Sequence, residues 1–163
     1  MKNRVARIGM FVALAFVLSY IEAMIPFHVG IQGVKLGLAN VVVMVALYCL
    51  GEKEAFGISM VRILLTGLTF GSVASMIYSF GGGLLSFGVM VLAKKTKKLS
   101  ITQVSVLGGI FHNVGQIIVA MIVLETKAFL YYLPVLLISG VVAGVVIGIL
   151  GSIISGRIRK LAT

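Results

Sequence analysis

Apolar runs of about 20 residues recur along the whole of this chain, separated only by short polar breaks, and that recurrence restricts its fold more than any other feature. A helix rises about 1.5 Å per residue, so each run can cross roughly 30 Å of hydrocarbon. Of 163 residues, 60% are hydrophobic and 11% charged, against the roughly 25% charged residues of soluble domains. Mean hydropathy is +1.19. The chain reads as an all-α, polytopic membrane protein. The first run follows the basic start MKNRVARIG but has no small-x-small cleavage pattern before Pro26, so it reads as a retained span and not a signal peptide.

Six helices are predicted, over 4–25, 36–50, 54–70, 72–93, 101–125 and 129–156, forming one membrane domain over 1–163 without a soluble appendage. The breaks between them are short, so successive helices form antiparallel hairpins. Charge then sets the orientation. Placing the N-terminus inside puts Lys2, Arg4, Arg7, Lys53, Lys94, Lys95, Lys97, Lys98, Arg157, Arg159 and Lys160 on the inner side, and leaves only Lys35 and Lys127 outside. The positive-inside rule therefore puts both termini in the cytoplasm. The net charge of +10 is an orientation signal and a contact for lipid headgroups, not a nucleic-acid patch. The lone Cys49 excludes an intramolecular disulfide and any CxxC motif.

Helix packing in lipid relies on small residues at four-residue spacing. Gly140, Gly144, Gly148, Ser152 and Gly156 make such a stripe on the last helix, with Ser139, Ala143, Gly151 and Ser155 as a partial second one. Gly9 and Ala13 offer a shorter stripe on the first helix, where a partner could dock. The triplet Gly81-Gly82-Gly83 predicts a kink, or a close backbone approach to a ligand or a neighbouring helix.

Strongly polar groups within hydrocarbon are costly and face a cavity or a partner. Here they are Glu22 in the first helix, Arg62 with Thr66 in the third, Tyr78 and Ser79 in the fourth, and His112, Asn113 and Gln116 in the fifth. Lys35 and Asn40 enter the second helix from outside. Topology puts them all between the bilayer centre and the outer surface, so one shared cavity is expected. Glu22, Lys35, Asn40, Arg62, Thr66, Tyr78, His112 and Gln116 are its candidate ligand contacts, under a loop spanning 26–36. His112 and Gln116 share a helix face, whereas Asn113 points roughly 100° away and is expected to tie its helix to a neighbour. Five of these residues have a structural alternative: Arg62 with Glu22 as an ion pair, His112 and Gln116 as interhelical hydrogen-bond glue, and Lys35 as an interfacial side chain.

The chain contains no aspartate, no GxxxxGK[ST] phosphate loop, no HExxH and no carboxylate pair at metal-binding spacing. Binding or passage is expected, not enzymatic bond-making, and no cofactor is implied.

The segments GVKLGLANVV (33–42), FGGGLLSFGVMVLAKK (80–95), VLGGIFHNVGQ (106–116) and YYLPVLLISGVVAG (131–144) resemble the Gx transporter family of bacteria, also called heptaprenyl diphosphate synthase component I. That family is similar in size and hydropathy to the S-components of energy-coupling factor transporters. These are six-helix proteins that capture vitamins from outside and work with a transmembrane coupling subunit and two ATPases. The resemblance implies an S-component-like bundle in the bacterial cytoplasmic membrane. The first helix departs from the three-alanine docking pattern of S-components, because Gly9 and Ala13 are followed by Val17. The synthase name conflicts with the composition: prenyl diphosphate synthases ionise an allylic diphosphate with Mg²⁺ held by aspartate-rich motifs, which this chain lacks.

Two functions follow as expectations. The first is an uptake component that captures a small organic micronutrient or a quinone or isoprenoid precursor and is energised by partner subunits. The alternative is a non-catalytic accessory membrane subunit of isoprenoid or quinone biosynthesis.

Overall fold

A computed structural model describes residues 2–25 and 37–162. The predicted loop over 26–36, with His28 and Lys35, lies outside the described residues. Among the described residues 89% are helical and none is in a strand. The helices are α1 (Lys2–Met24), α2 (Leu38–Cys49), α3 (Glu52–Thr69), α4 (Val73–Lys95), α5 (Ile101–Val123) and α6 (Leu133–Ala162), with a 3₁₀ turn at Ala128–Tyr132 before α6.

Local chemistry explains the boundaries. Ser72 caps α4 in a reciprocal pair with Ser75, and Ser100 caps α5 with Gln103, whose side chain accepts the Ser100 N–H at 2.8 Å. Between them Lys97 takes a left-handed conformation, φ 57°, and reverses the chain after α4. Pro134 falls in the first turn of α6, where its missing N–H costs nothing. The last turn of α6 carries Arg159 and Lys160, cations that favour a helix C-terminus. These extend α6 past the predicted end at residue 156.

Six spans were expected, and four helices are long and apolar enough to cross a membrane: α1 from Arg4, α4, α5 and the 3₁₀ turn with α6. The other two fall short for physical reasons. The 12 residues of α2 rise only about 18 Å against roughly 30 Å of hydrocarbon. The 18 residues of α3 carry Glu52, Lys53, Glu54 and Arg62. Short α2 is nevertheless the most thoroughly enclosed helix, with Ala39 and Val41 through Leu47 all buried.

The packing order is a ring in which α2 contacts α3, α3 contacts α4, α4 contacts α5, α5 contacts α6 and α6 returns to α2. α1 leans on the ring against α2 and α3, with Phe16 tilted and Tyr20 edge-on against Phe70 at centroid distances of 5.6 and 5.7 Å.

One end of the ring gathers the basic residues. Lys94 Nζ donates to Leu47 O at 2.8 Å and Arg159 to Tyr48 O at 3.0 Å, so cations from α4 and α6 cap the C-terminus of α2. Arg4 pairs there with Glu54. Above these contacts Val43, Met44, Leu47, Ile58, Phe87, Met90, Val104 and Ile147 pack into a dense apolar core. The basic half is closed by that core, and α2 begins only part of the way toward the other end.

Small residues allow the closest contacts. A Cβ on Gly144 would stand 2.6 Å from Val106 Cα, and one on Gly148 2.5 Å from Thr102 Cα, so α6 lies almost backbone to backbone on α5. The stripe does not run on: Ser152 is exposed and a Cβ on Gly156 would meet nothing within 4 Å. The helix turns its second stripe inward instead, with Gly151 against Met44 and Ser155 buried. The glycine triplet produces close approach, not a break. α4 stays helical throughout, and a Cβ on Gly82 would lie 2.6 Å from the His112 carbonyl oxygen on α5.

Candidate functional site

Beyond the apolar core, in the half opposite the basic end, the ring surrounds a partly open cavity of about 280 Å³. Each helix contributes residues at helical spacing: Ser59, Arg62, Ile63 and Thr66 from α3; Ser75, Ser79, Gly83, Phe87 and Met90 from α4; Ser105, Gly108, His112 and Gln116 from α5. α6 adds Ser139, Gly140, Ala143 and Ile147, α1 adds Ser19 and Glu22, and α2 adds Gly37, Asn40 and Met44.

Six of the eight predicted contacts line this cavity: Glu22, Asn40, Arg62, Thr66, His112 and Gln116. Lys35 lies outside the described residues. Tyr78 does not line it, because the cavity face of α4 runs through Ser75, Ser79 and Phe87, and Tyr78 is one residue, about 100°, off that face. Of the predicted packing residues, Gly140, Gly144 and Gly148 sit at the α5–α6 contact, whereas Gly9 and Ala13 are exposed on α1.

Sequence reasoning missed the lining serines other than Ser79, and the deep apolar wall. Ser79 was expected among the polar groups around the cavity, whereas Ser75 and Gly83, at four-residue spacing from it, give only a packing pattern, and the same face continued as Ser86, Phe87 and Met90 carries the cavity wall.

Arg62 is the central charge. Its Nη2 donates to Asn40 Oδ1 at 3.0 Å, which joins α3 to the first turn of α2. Its Nε is inaccessible and has no partner among the described residues, and the same holds for Ser19 Oγ and Thr66 Oγ1. The alternative reading of Arg62 and Glu22 as an ion pair is not met among the described residues. Glu22 is close enough to act on Arg62 through space but stands outside ion-pair distance. It accepts the Gly37 N–H instead, at the start of α2. Gly37 can take that position because it is glycine: its φ is +73°, and a Cβ would meet Ile147 Cδ1 at 2.9 Å.

The FHNVGQ segment divides its work between two faces. Asn113 donates to Leu136 O and reaches Ser139 Oγ at 3.5 Å, tying α5 to α6 as expected. His112 and Gln116 face the cavity across Gly82. Lower down, Ser86 Oγ donates to Gly108 O at 2.8 Å and fixes α4 to α5.

The family model described as heptaprenyl diphosphate synthase component I matches residues 11–154, which contain every described lining residue. The chain belongs to that family. No curated protein and no solved structure matches it. The expected likeness to S-components of energy-coupling factor transporters therefore finds no support among the matches. As a component I family member, the chain carries the name of one part of a synthase, and a partner subunit is the natural expectation from that name.

Proposed function

We propose that this chain is a non-catalytic membrane component of isoprenoid diphosphate synthesis, one that holds a small organic molecule in the cavity around Arg62 while a partner makes the bonds. The family name supports the pathway. The composition supports the division of labour: without a single aspartate the chain lacks the residue type that such synthases use to hold Mg²⁺ on a diphosphate. The observation that carries the binding role is Arg62, an arginine inside an apolar bundle that lines the cavity and whose Nε has no partner among the described residues. An ionisable group at such depth is retained for a partner or a ligand.

The test is affinity recovery of the tagged protein from cross-linked native membranes. A prenyltransferase should come with it. Uptake remains a second reading, favoured by one observation: the cavity is polar at the end away from the basic termini and sealed by the apolar core toward them. Recovery of ATPases with a transmembrane coupling subunit would decide for uptake, and recovery of neither class would contradict both readings.

A further inference from the structure

We infer that the cavity takes an organic monocarboxylate with a compact apolar body, its carboxylate at Arg62 and its body against Met44, Phe87 and Met90. This deepens the ligand-binding part of the proposed function and does not depend on which partner enzyme is recovered.

Three observations carry it. First, the unmet hydrogen-bonding capacity at the Arg62 wall is dominated by donors. The guanidinium carries five N–H groups and no acceptor, and among the described residues only the one to Asn40 is bonded and the Ser19 and Thr66 hydroxyls of the same lining have no partner. Ser19 is only 6% exposed, so water does not readily satisfy it. The chemical complement is a group made of acceptors with a formal negative charge, matched two-pronged to a planar guanidinium.

Second, Arg62 is the one cation among the described lining residues and its carboxylate neighbour does not pair with it. Arg62 and Glu22 are the only formal charges among the described lining residues. Glu22 is held by Gly37 and stays outside pairing distance, so one ligand carboxylate completes the Arg62 pair. A diphosphate would bring several negative charges, and among the described lining residues no second cation stands to meet them.

Third, the far wall and the volume select the body. Met44, Phe87 and Met90 close the apolar end of the cavity, only 2%, 7% and 9% exposed, so a body lying there meets the edge of a packed thioether and aromatic core. About 280 Å³ lies at the low edge of small-ligand sites, roughly 300–1,000 Å³. A ring system or medium chain fits that space, whereas a seven-isoprene tail does not.

The experiment is thermal unfolding of the detergent-purified full chain with millimolar 2-naphthoate, octanoate, 2-naphthamide and geranyl diphosphate, followed by titration of the probe that stabilises most. At least one of the two carboxylates should raise the Tm, 2-naphthamide and geranyl diphosphate should do so less, and Arg62→Gln should weaken carboxylate binding about tenfold or more. Should Arg62→Gln fail to fold, Thr66→Val keeps the guanidinium and shape and should weaken binding about threefold. Tyr78→Phe, off the cavity, should bind as wild type. The inference is overturned if neither carboxylate stabilises, if the amide matches its acid, if the diphosphate stabilises most, or if both cavity variants bind as well as wild type. None of these results bears on whether a prenyltransferase co-purifies, so the two proposals fail separately.

Discussion

At the scale of single residues, the N-terminal end of α2 depends on Gly37. Its positive φ and the nearness of Ile147 leave no room for a side chain. Gly37→Ala should therefore destabilise the protein by about 1–2 kcal/mol, read as a lower Tm in detergent. Glu22→Gln keeps an acceptor for the Gly37 N–H and should be tolerated better than Glu22→Ala, which leaves that N–H without its partner; equal melting of the two would show that the contact contributes nothing. Asn113→Leu should cost about 0.6–2 kcal/mol by removing the tie to Leu136. At this scale the sequence was legible for Asn113, because one residue step of about 100° separates it from His112 and Gln116. It was not legible for Glu22. Opposite charges on neighbouring helices invite an ion-pair reading, and only the backbone path at Gly37 reveals that a main-chain N–H takes the carboxylate.

At the scale of helices, the decisive variable is how closely two backbones approach. Gly82→Leu and Gly144→Leu would drive side chains into the His112 carbonyl and the Val106 backbone. Each should cost about 3 kcal/mol or prevent folding, since backbone cannot yield as a flexible side chain does. Gly9→Ala and Gly156→Ala meet nothing within 4 Å. These should be neutral or should stabilise by up to about 1 kcal/mol through helix propensity. A melting series of the four variants checks the contrast, and similar losses in both pairs would mean that the exposed glycines pack on something else. The sequence showed the small-residue stripe on α6 but not its end. Spacing alone continues through Ser152 and Gly156, whereas α6 exchanges α5 for α2 and turns Gly151 and Ser155 inward. Likewise Tyr78 and Ser79 are adjacent and both polar, and only the contact with α5 decides which of them faces inward.

At the scale of the whole molecule, a short α2 in a ring of longer helices accounts for both halves. Where α2 is present, its buried valines, Met44 and Leu47 fill the ring and the basic end is closed. Where it begins, at Gly37 and Asn40, the ring holds polar side chains around a cavity. The apolar runs and the charge asymmetry made the helical, multi-pass architecture readable, because lipid leaves few alternatives to helices. The cavity wall was only half readable, since serine and methionine serve packing and ligand contact equally well. The central claim is that this chain binds a molecule at Arg62. The most direct measurement is native mass spectrometry of the protein extracted from its own membranes, with release and identification of whatever is bound to wild type and to folded Arg62→Ala. A stoichiometric organic ligand in wild type, absent from Arg62→Ala, is the predicted result; phospholipid alone in both would contradict a ligand role and leave the polar cluster as interhelical glue.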